Sequence, residues 1–166
     1  MRALAQGGFD ITLWRELQAL GVPALRVPEA HGGLGLGLLD AAVAAEALGS
    51  GSVPAPFAAV AVMAPAWLQG AASNAQQAEW LPKVVSGQVR LAWAHDEAAA
   101  RHAPLWVETT ARCEGCVWTL TGTKNLVLHA QSAHQWVVTA RTDGAPDAAE
   151  GLRFFLVDAS AVGVSC

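Results

Sequence analysis

Tyrosine is absent from this 166-residue sequence, and charged side chains make up only 14% of it. Beside 53% hydrophobic residues, so low a charge content excludes a disordered polyelectrolyte. The chain is long enough for one ordinary domain or two small ones with a real core. Ten basic side chains face fourteen acidic ones, the net charge is -4, and no basic stripe stands out, which argues against nucleic acid as a partner. No apolar run is long enough to span a bilayer. The most hydrophobic one, Pro54 to Leu68, carries Pro54, Pro56 and Pro65 and reads as a buried helix. The N-terminal run Met1 to Gly8 lacks the apolar core of a signal peptide. Three cysteines cannot all pair with one another, so a reducing cytoplasm is the expected compartment. Tryptophan is in excess, seven in all, which fits deep packing and a flat-ligand surface equally well.

The hydrophobic period changes near residue 88. Before it the spacing is helical. Asp10 or Thr12 can cap a helix carrying Leu13, Trp14, Leu17 and Leu20 on one face and ended by Gly21. Leu38 to Leu48 forms a second, Ala-rich helix closed by Gly49. The Pro54–Gly70 segment is apolar nearly all round and should be surrounded by other elements. Ser73-Asn74-Ala75-Gln76 is a capping box that opens a fourth helix, burying Trp80, Leu81 and Val84 and stopping near Gly87. After residue 88 the period falls to two, and Val89–His95, Leu105–Arg112, Val117–Thr121, Asn125–His129, Gln135–Arg141 and Leu152–Asp158 read as strands. Helices followed by strands predict an α+β fold, with a helical domain over 1–87 and a β region over 88–166. Thr142–Gly151 is polar and reads as a surface loop.

Cys113-Glu114-Gly115-Cys116 has the spacing of half a zinc knuckle, and His129 and His134 could complete a cluster. No second paired motif exists, so a tight hairpin turn with two ordinary thiols is the better reading. Trp14, Trp67 and Trp80 occupy helix-core positions, whereas a ligand-lining role stays open for Trp93 and Trp106. Glu108, Arg112 and Arg141 read as solvated charges on strand faces.

Three motifs go beyond composition. Val27-Pro28-Glu29 leads into Gly32-Gly33-Leu34-Gly35. No strand precedes these glycines and no Gly-Lys-Ser/Thr follows them, which disfavours a nucleotide P-loop. The second motif is Trp93-Ala94-His95-Asp96-Glu97-Ala98-Ala99-Ala100-Arg101-His102, and the third is Gly122-Thr123-Lys124-Asn125-Leu126-Val127-Leu128-His129-Ala130 followed by Trp136 to Arg141. In this order, over nearly the whole chain, they resemble the acyl-CoA dehydrogenase family of flavoenzymes. The resemblance implies a helical N-terminal domain followed by an antiparallel barrel- or sandwich-like middle domain, incomplete in this chain.

It also implies FAD as cofactor. Trp93, His95, Asp96, Glu97, Arg101, His102, Leu126 and Leu128 are the residues it places at the flavin. Glu97 matches the Glu of the family's Thr-Glu-Pro, with Asp96 where Thr is common and Ala98 in place of Pro. Arg101-His102 falls where Gly-Ser is usual; Arg101 could meet a phosphate or pair with Glu97. His95 could donate to the flavin or be a satisfied histidine at a strand end. Leu126 stands where an aromatic residue often faces the flavin, and Leu128 where a Thr bonds near its N5. These two substitutions remove a stacking ring and a hydroxyl, leaving backbone amides to tune the redox chemistry.

Dehydrogenation of an acyl thioester needs a carboxylate base in an apolar slot. The resemblance puts that base beyond Cys166, so no catalytic residue is assigned within the chain, and it gives Glu97 a structural place on the flavin loop. The implied partners are an acyl-CoA substrate of fatty acid metabolism and an electron-transfer acceptor, with oligomerisation of the full-length protein. Two other readings are a non-catalytic subunit of a heteromeric dehydrogenase and a flavin-free scaffold or binding module. The motifs also predict one open, apolar groove lined by His95, Asp96 and the Leu126–Leu128 backbone.

Overall fold

The computed structural model describes residues 10–166, so the N-terminal run assessed for a signal peptide lies outside the described residues. Helix α1, Ile11–Ala19, is capped by Asp10, whose carboxylate accepts from the amides of Thr12 and Leu13. It buries Trp14 and Leu17, but Leu20, expected on the same face, is the C-cap and is exposed. Helix α2, Leu38–Ser50, runs through Gly49 and is capped instead by Gly51.

The apolar third segment is a continuous helix in two parts: a π-helical stretch, Ala58–Met63, followed by α3, Ala64–Ala71. Pro65 explains the change. It has no amide to give Ala61, and its ring would crowd that carbonyl in a normal α turn, so the turns just before it widen. Helix α4, Asn74–Val85, opens on the expected capping box: the Ser73 hydroxyl accepts from Gln76 N while Gln76 Oε1 accepts from Ser73 N. Trp14, Leu17, Val60, Leu68, Leu81 and Val84 form the main core and meet Leu91 and Val137 of the sheet.

The strands are β1 (Leu91–Ala94), β2 (Thr110–Glu114), β3 (Val117–Thr121), β4 (Gln135–Arg141) and β5 (Leu152–Asp158). They form one mixed sheet, not a wholly antiparallel one. β4 pairs in parallel with β1 along its first half and with β2 at Arg141, and antiparallel with β5 on its other edge. β2 and β3 form a hairpin in which Glu114 faces Val117 across Gly115-Cys116. The three cysteines are free and exposed, and among the described residues no group of His, Cys, Asp or Glu could hold a metal ion. Two expected strands change. The strand expected from Leu105 begins only at Thr110, and Asn125–His129 forms no strand. Leu126 (φ 53°) and His129 (φ 60°) are left-handed, which no ladder accepts. No helix among the described residues is long and apolar enough to cross a membrane.

Candidate functional site

The site forms where β1 ends and the irregular segment 122–129 passes beside it. Glu97 is buried there and its carboxylate is fully engaged. Oε2 accepts from Glu108 N at 2.6 Å, while Oε1 accepts from Thr109 N at 3.0 Å, from the Thr109 hydroxyl and from Lys124 Nζ at 2.7 Å. Lys124 Nζ also donates to His95 O (3.2 Å) and Thr139 Oγ1 (3.1 Å). Burial works to raise the Glu97 pKa, but the Lys124 ammonium, the Thr109 hydroxyl and the two amides outweigh it and hold the carboxyl below its usual range. Burial lowers the Lys124 pKa, and Glu97 opposes that shift. Both oxygens of Glu97 are therefore engaged by the protein, Oε1 by three donors and Oε2 by one. Its ion partner is Lys124, not Arg101.

The amides of segment 123–129 are nearly all unused. Asn125 N donates to Asp96 O at 2.7 Å; Leu126, Val127, Leu128 and His129 have no partner for their N–H among the described residues. Gly122 is required where it is, because a Cβ there would come within 2.3 Å of Thr109 Oγ1.

The sheet divides the expected single groove in two. On the helical side, Trp93 stacks on His95 (centroids 5.4 Å, planes 20° apart) and meets Trp67 edge to face. Both indoles, with Ala59, Met63, Ala64 and Val137, line an apolar cavity of about 320 Å³. His95 Nδ1 lies 3.0 Å from Thr139 Oγ1. Burial, then the positive Lys124, lower the His95 pKa, although Asp96, Pro104 and Glu97 oppose them, so the imidazole is neutral at pH 7. On the opposite face Lys124, Leu126 and Val127 line a groove of about 450 Å³ with Ala94, Trp136 and Val138. Leu126 and Leu128 are exposed, at 75% and 63%. His95 does not line this groove, because strand alternation turns Trp93 and His95 to the helices and Ala94 away from them. Arg101 (φ 47°) and His102 (φ 66°) are exposed, left-handed residues beyond the short Ala98–Ala100 turn.

Two residues of consequence were given no structural or functional role by sequence reasoning. Lys124 lies within the third motif but received no role, although a lone cation between Gly122 and an apolar run was a usable signal. Arg141, expected to be solvated, is 5% exposed, and its guanidinium donates to the carbonyls of Leu105, Val107, Pro146, Ala148 and Glu150. Trp67, expected in the core, is half-buried and borders the cavity instead.

Residues 1–88, more than half of the chain, match the family model of the acyl-CoA dehydrogenase N-terminal domain. The chain belongs to the acyl-CoA dehydrogenase family. It is 30% identical over 155 residues to mitochondrial isovaleryl-CoA dehydrogenase of Pongo abelii, covering 92% of this chain and 37% of that protein. Among solved structures it is similar to the ChsE4-ChsE5 complex from Mycobacterium tuberculosis, at 31% identity and TM-score 0.77, covering 95% of this chain and 40% of that one. It is also similar to a glutaryl-CoA dehydrogenase from Mycobacterium smegmatis in complex with FADH2, at 27% identity and TM-score 0.76, covering 92% and 38%. The chain thus spans less than half the length of these family members.

Proposed function

We propose that this segment supplies the first part of an FAD-dependent acyl-CoA dehydrogenase, with residues 1–87 as its helical domain and 88–166 as part of its β domain. The observations that carry the reading are the apolar cavity between Trp67 and Trp93 on the helical face of the sheet and, on the other face, a segment whose amides are unused. An acyl chain needs such a cavity, and its lining of alanines, Met63 and indoles offers no competing polar group.

The residues fit a flavin in part. The N–H groups of Leu126, Val127 and Leu128 suit the oxygen- and nitrogen-rich edge of its ring, and the exposed Leu126 and Leu128 side chains suit its faces. When bound, FAD accepts the hydride lost from the substrate. Trp93, backed by the stacked His95 ring, forms a wall of the cavity, while the Asp96 carbonyl accepts from Asn125 N and so fixes the start of the segment. Arg101 and His102, both exposed and able to donate hydrogen bonds, are assigned to the cofactor's phosphates. Glu97 acts indirectly, through Lys124 and Thr109. The base belongs to sequence beyond Cys166, and acyl-CoA, an electron-transfer acceptor, a cytoplasmic setting and oligomerisation belong to the same proposal.

A second reading, a partner subunit without its own chemistry, is favoured by Leu126 and Leu128 and by the similarity to a complex of two named proteins. The test is expression of the full-length protein. Flavin absorbance together with acyl-CoA-dependent dye reduction is expected, while residues 1–166 alone give no turnover, since loss of a general base alone costs about 10²–10⁴-fold. A full-length protein that takes up no FAD overturns the main reading; one that holds FAD but reduces dye only with a second chain supports the other.

A further inference from the structure

Segment 122–129 has little to hold it. It joins no strand, contains two left-handed residues, and keeps one amide hydrogen bond between Thr123 and His129, from Asn125 to Asp96. Its Val127 and His129 carbonyls accept only from the turn that follows, Ala130 to Ala133, which ties the segment to no other element, and ordering each residue costs about 1–2 kcal/mol. The other anchor is the Lys124 side chain, which crosses to the end of β1. There the ammonium meets three acceptors from three places: Glu97 Oε1, Thr139 Oγ1 and the His95 carbonyl. The side chains of Lys124 and Glu97 are only 9% and 4% exposed, so the pair is shielded from solvent and its geometry is fixed. Thr109 is held by the same carboxylate and packs against Gly122, which secures the other end of the segment.

We propose that Lys124 is a positioning residue: it ties segment 122–129 to the end of β1 and so holds the Leu126–Leu128 amides in line for the cofactor. The second half of this statement rests on the flavin reading; the first half does not. A buried lysine whose role was only to neutralise Glu97 would not need His95 and Thr139, and Glu97 already has three other donors. The contacts fix Lys124 in position as well as in charge.

The experiment uses the full-length protein and four variants: Lys124→Met, Lys124→Arg, Thr139→Val, and Leu81→Ala as a destabilised control in the distant helical core. Flavin-free protein is treated with thermolysin, which cuts before leucine and valine, and cleavage at Leu126–Leu128 is compared with cleavage elsewhere. FAD affinity is then titrated separately. Lys124→Met should be cut in the segment roughly tenfold faster than the parent and bind FAD roughly tenfold more weakly, as expected for local opening. Lys124→Arg should recover most of both, and Leu81→Ala should lower the melting temperature without favouring cuts in the segment. Should Lys124→Met fail to fold, Thr139→Val, which keeps the ion pair, is expected to show a smaller increase of the same sign. Unchanged cleavage at Leu126–Leu128 overturns the tether. Faster cleavage with unaltered FAD affinity overturns its link to the cofactor, and a parent protein that binds no FAD removes the flavin reading while the cleavage comparison still decides the tether.

Discussion

Trp67 and Trp93 meet edge to face, with centroids 5.4 Å and planes 84° apart, so one indole from the helical layer and one from the sheet form adjoining walls of a single cavity. Phe154 of β5 approaches both rings, at 5.9 and 5.8 Å. The cluster joins the two layers. Trp93→Ala is expected to destabilise the protein by about 2–4 kcal/mol, because it removes the T-shaped contact and the His95 stack together. Trp93→Phe should cost under about 1.5 kcal/mol. Urea unfolding of both variants checks this, and equal losses would mean that the aromatic geometry contributes nothing.

Arg141 fills a cage of carbonyls at the base of loop 142–151. Arg141→Met would leave several buried carbonyl oxygens without donors, at a cost of about 2–4 kcal/mol. Arg141→Lys should recover little, since an ammonium cannot reproduce the planar fork that reaches five carbonyls. Cleavage by proteinase K within 142–151 should rise in both variants; a loop as resistant as the parent's contradicts the assignment.

Acid should weaken the fold from the histidines first. Burial lowers the pKa of His95, His129 and His134, helped at His95 by Lys124 and at His134 by Arg90. An unfolded histidine takes its proton near pH 6.5, the folded ones lower. Their contribution is therefore complete above about pH 6.5 and is lost as pH falls through the lowered folded values. Glu97 continues the trend below the ordinary glutamate range. Melting temperature is expected to fall between pH 7 and 5 and more steeply below; a rise over that interval would mean that these partly desolvated histidines bind protons more tightly in the folded protein, the reverse of the direction desolvation gives.

Gly33 lies so close to Val27 that a Cβ would fall 1.9 Å from the Val27 carbonyl oxygen, which already accepts from Gly35 N at 2.8 Å. Gly33→Ala must displace backbone and should cost more than about 2 kcal/mol, by a mechanism that no side-chain rearrangement relieves. Gly32→Ala is a useful comparison: its φ of 81° is strained for alanine, but no atom lies within reach, so a loss of about 1 kcal/mol is expected. Equal Tm shifts for the two variants would show that the Val27 contact is unimportant.

Much of this fold was legible in the sequence. Ser73 with Gln76 and Asp10 before the Trp14 face identified helix starts because capping is local chemistry. Gln135–Arg141 and Leu152–Asp158 were legible from their β-branched and aromatic residues, although β4, paired on both edges, is buried without alternation from Val137 to Arg141. Asn125–His129 misled because Leu-Val-Leu looks like a strand, yet its backbone turns left-handed at Leu126 and His129, which no apolar pattern reveals. Arg141 misled because a charge on a strand reads as solvated unless the carbonyls that will surround it can be foreseen, and these come from distant residues. At the site, the second and third motifs contained the right segments. Their partition was hidden, since only the assembled sheet shows that Trp93 and His95 face the helices while Leu126 faces the other side.

β4 shares one edge between β1 and β2, and this has a kinetic consequence. The β2–β3 hairpin is local in sequence, and β4–β5 is closed by a single loop, so both can form early. β1 must reach β4 across a long separation; His95 and Thr139 are 44 residues apart. Closing that distance is entropically slow, and parallel pairing across it belongs late in folding. Pulse-labelled hydrogen exchange should therefore protect β5 before β1; simultaneous protection would refute this order. The cavity wall at Trp93, the neutral His95 and the Glu97–Lys124 pair all depend on β1 arriving. A chain that has collapsed around its hairpins thus has sheet structure but no site, and ligand capture can report only the final step of folding.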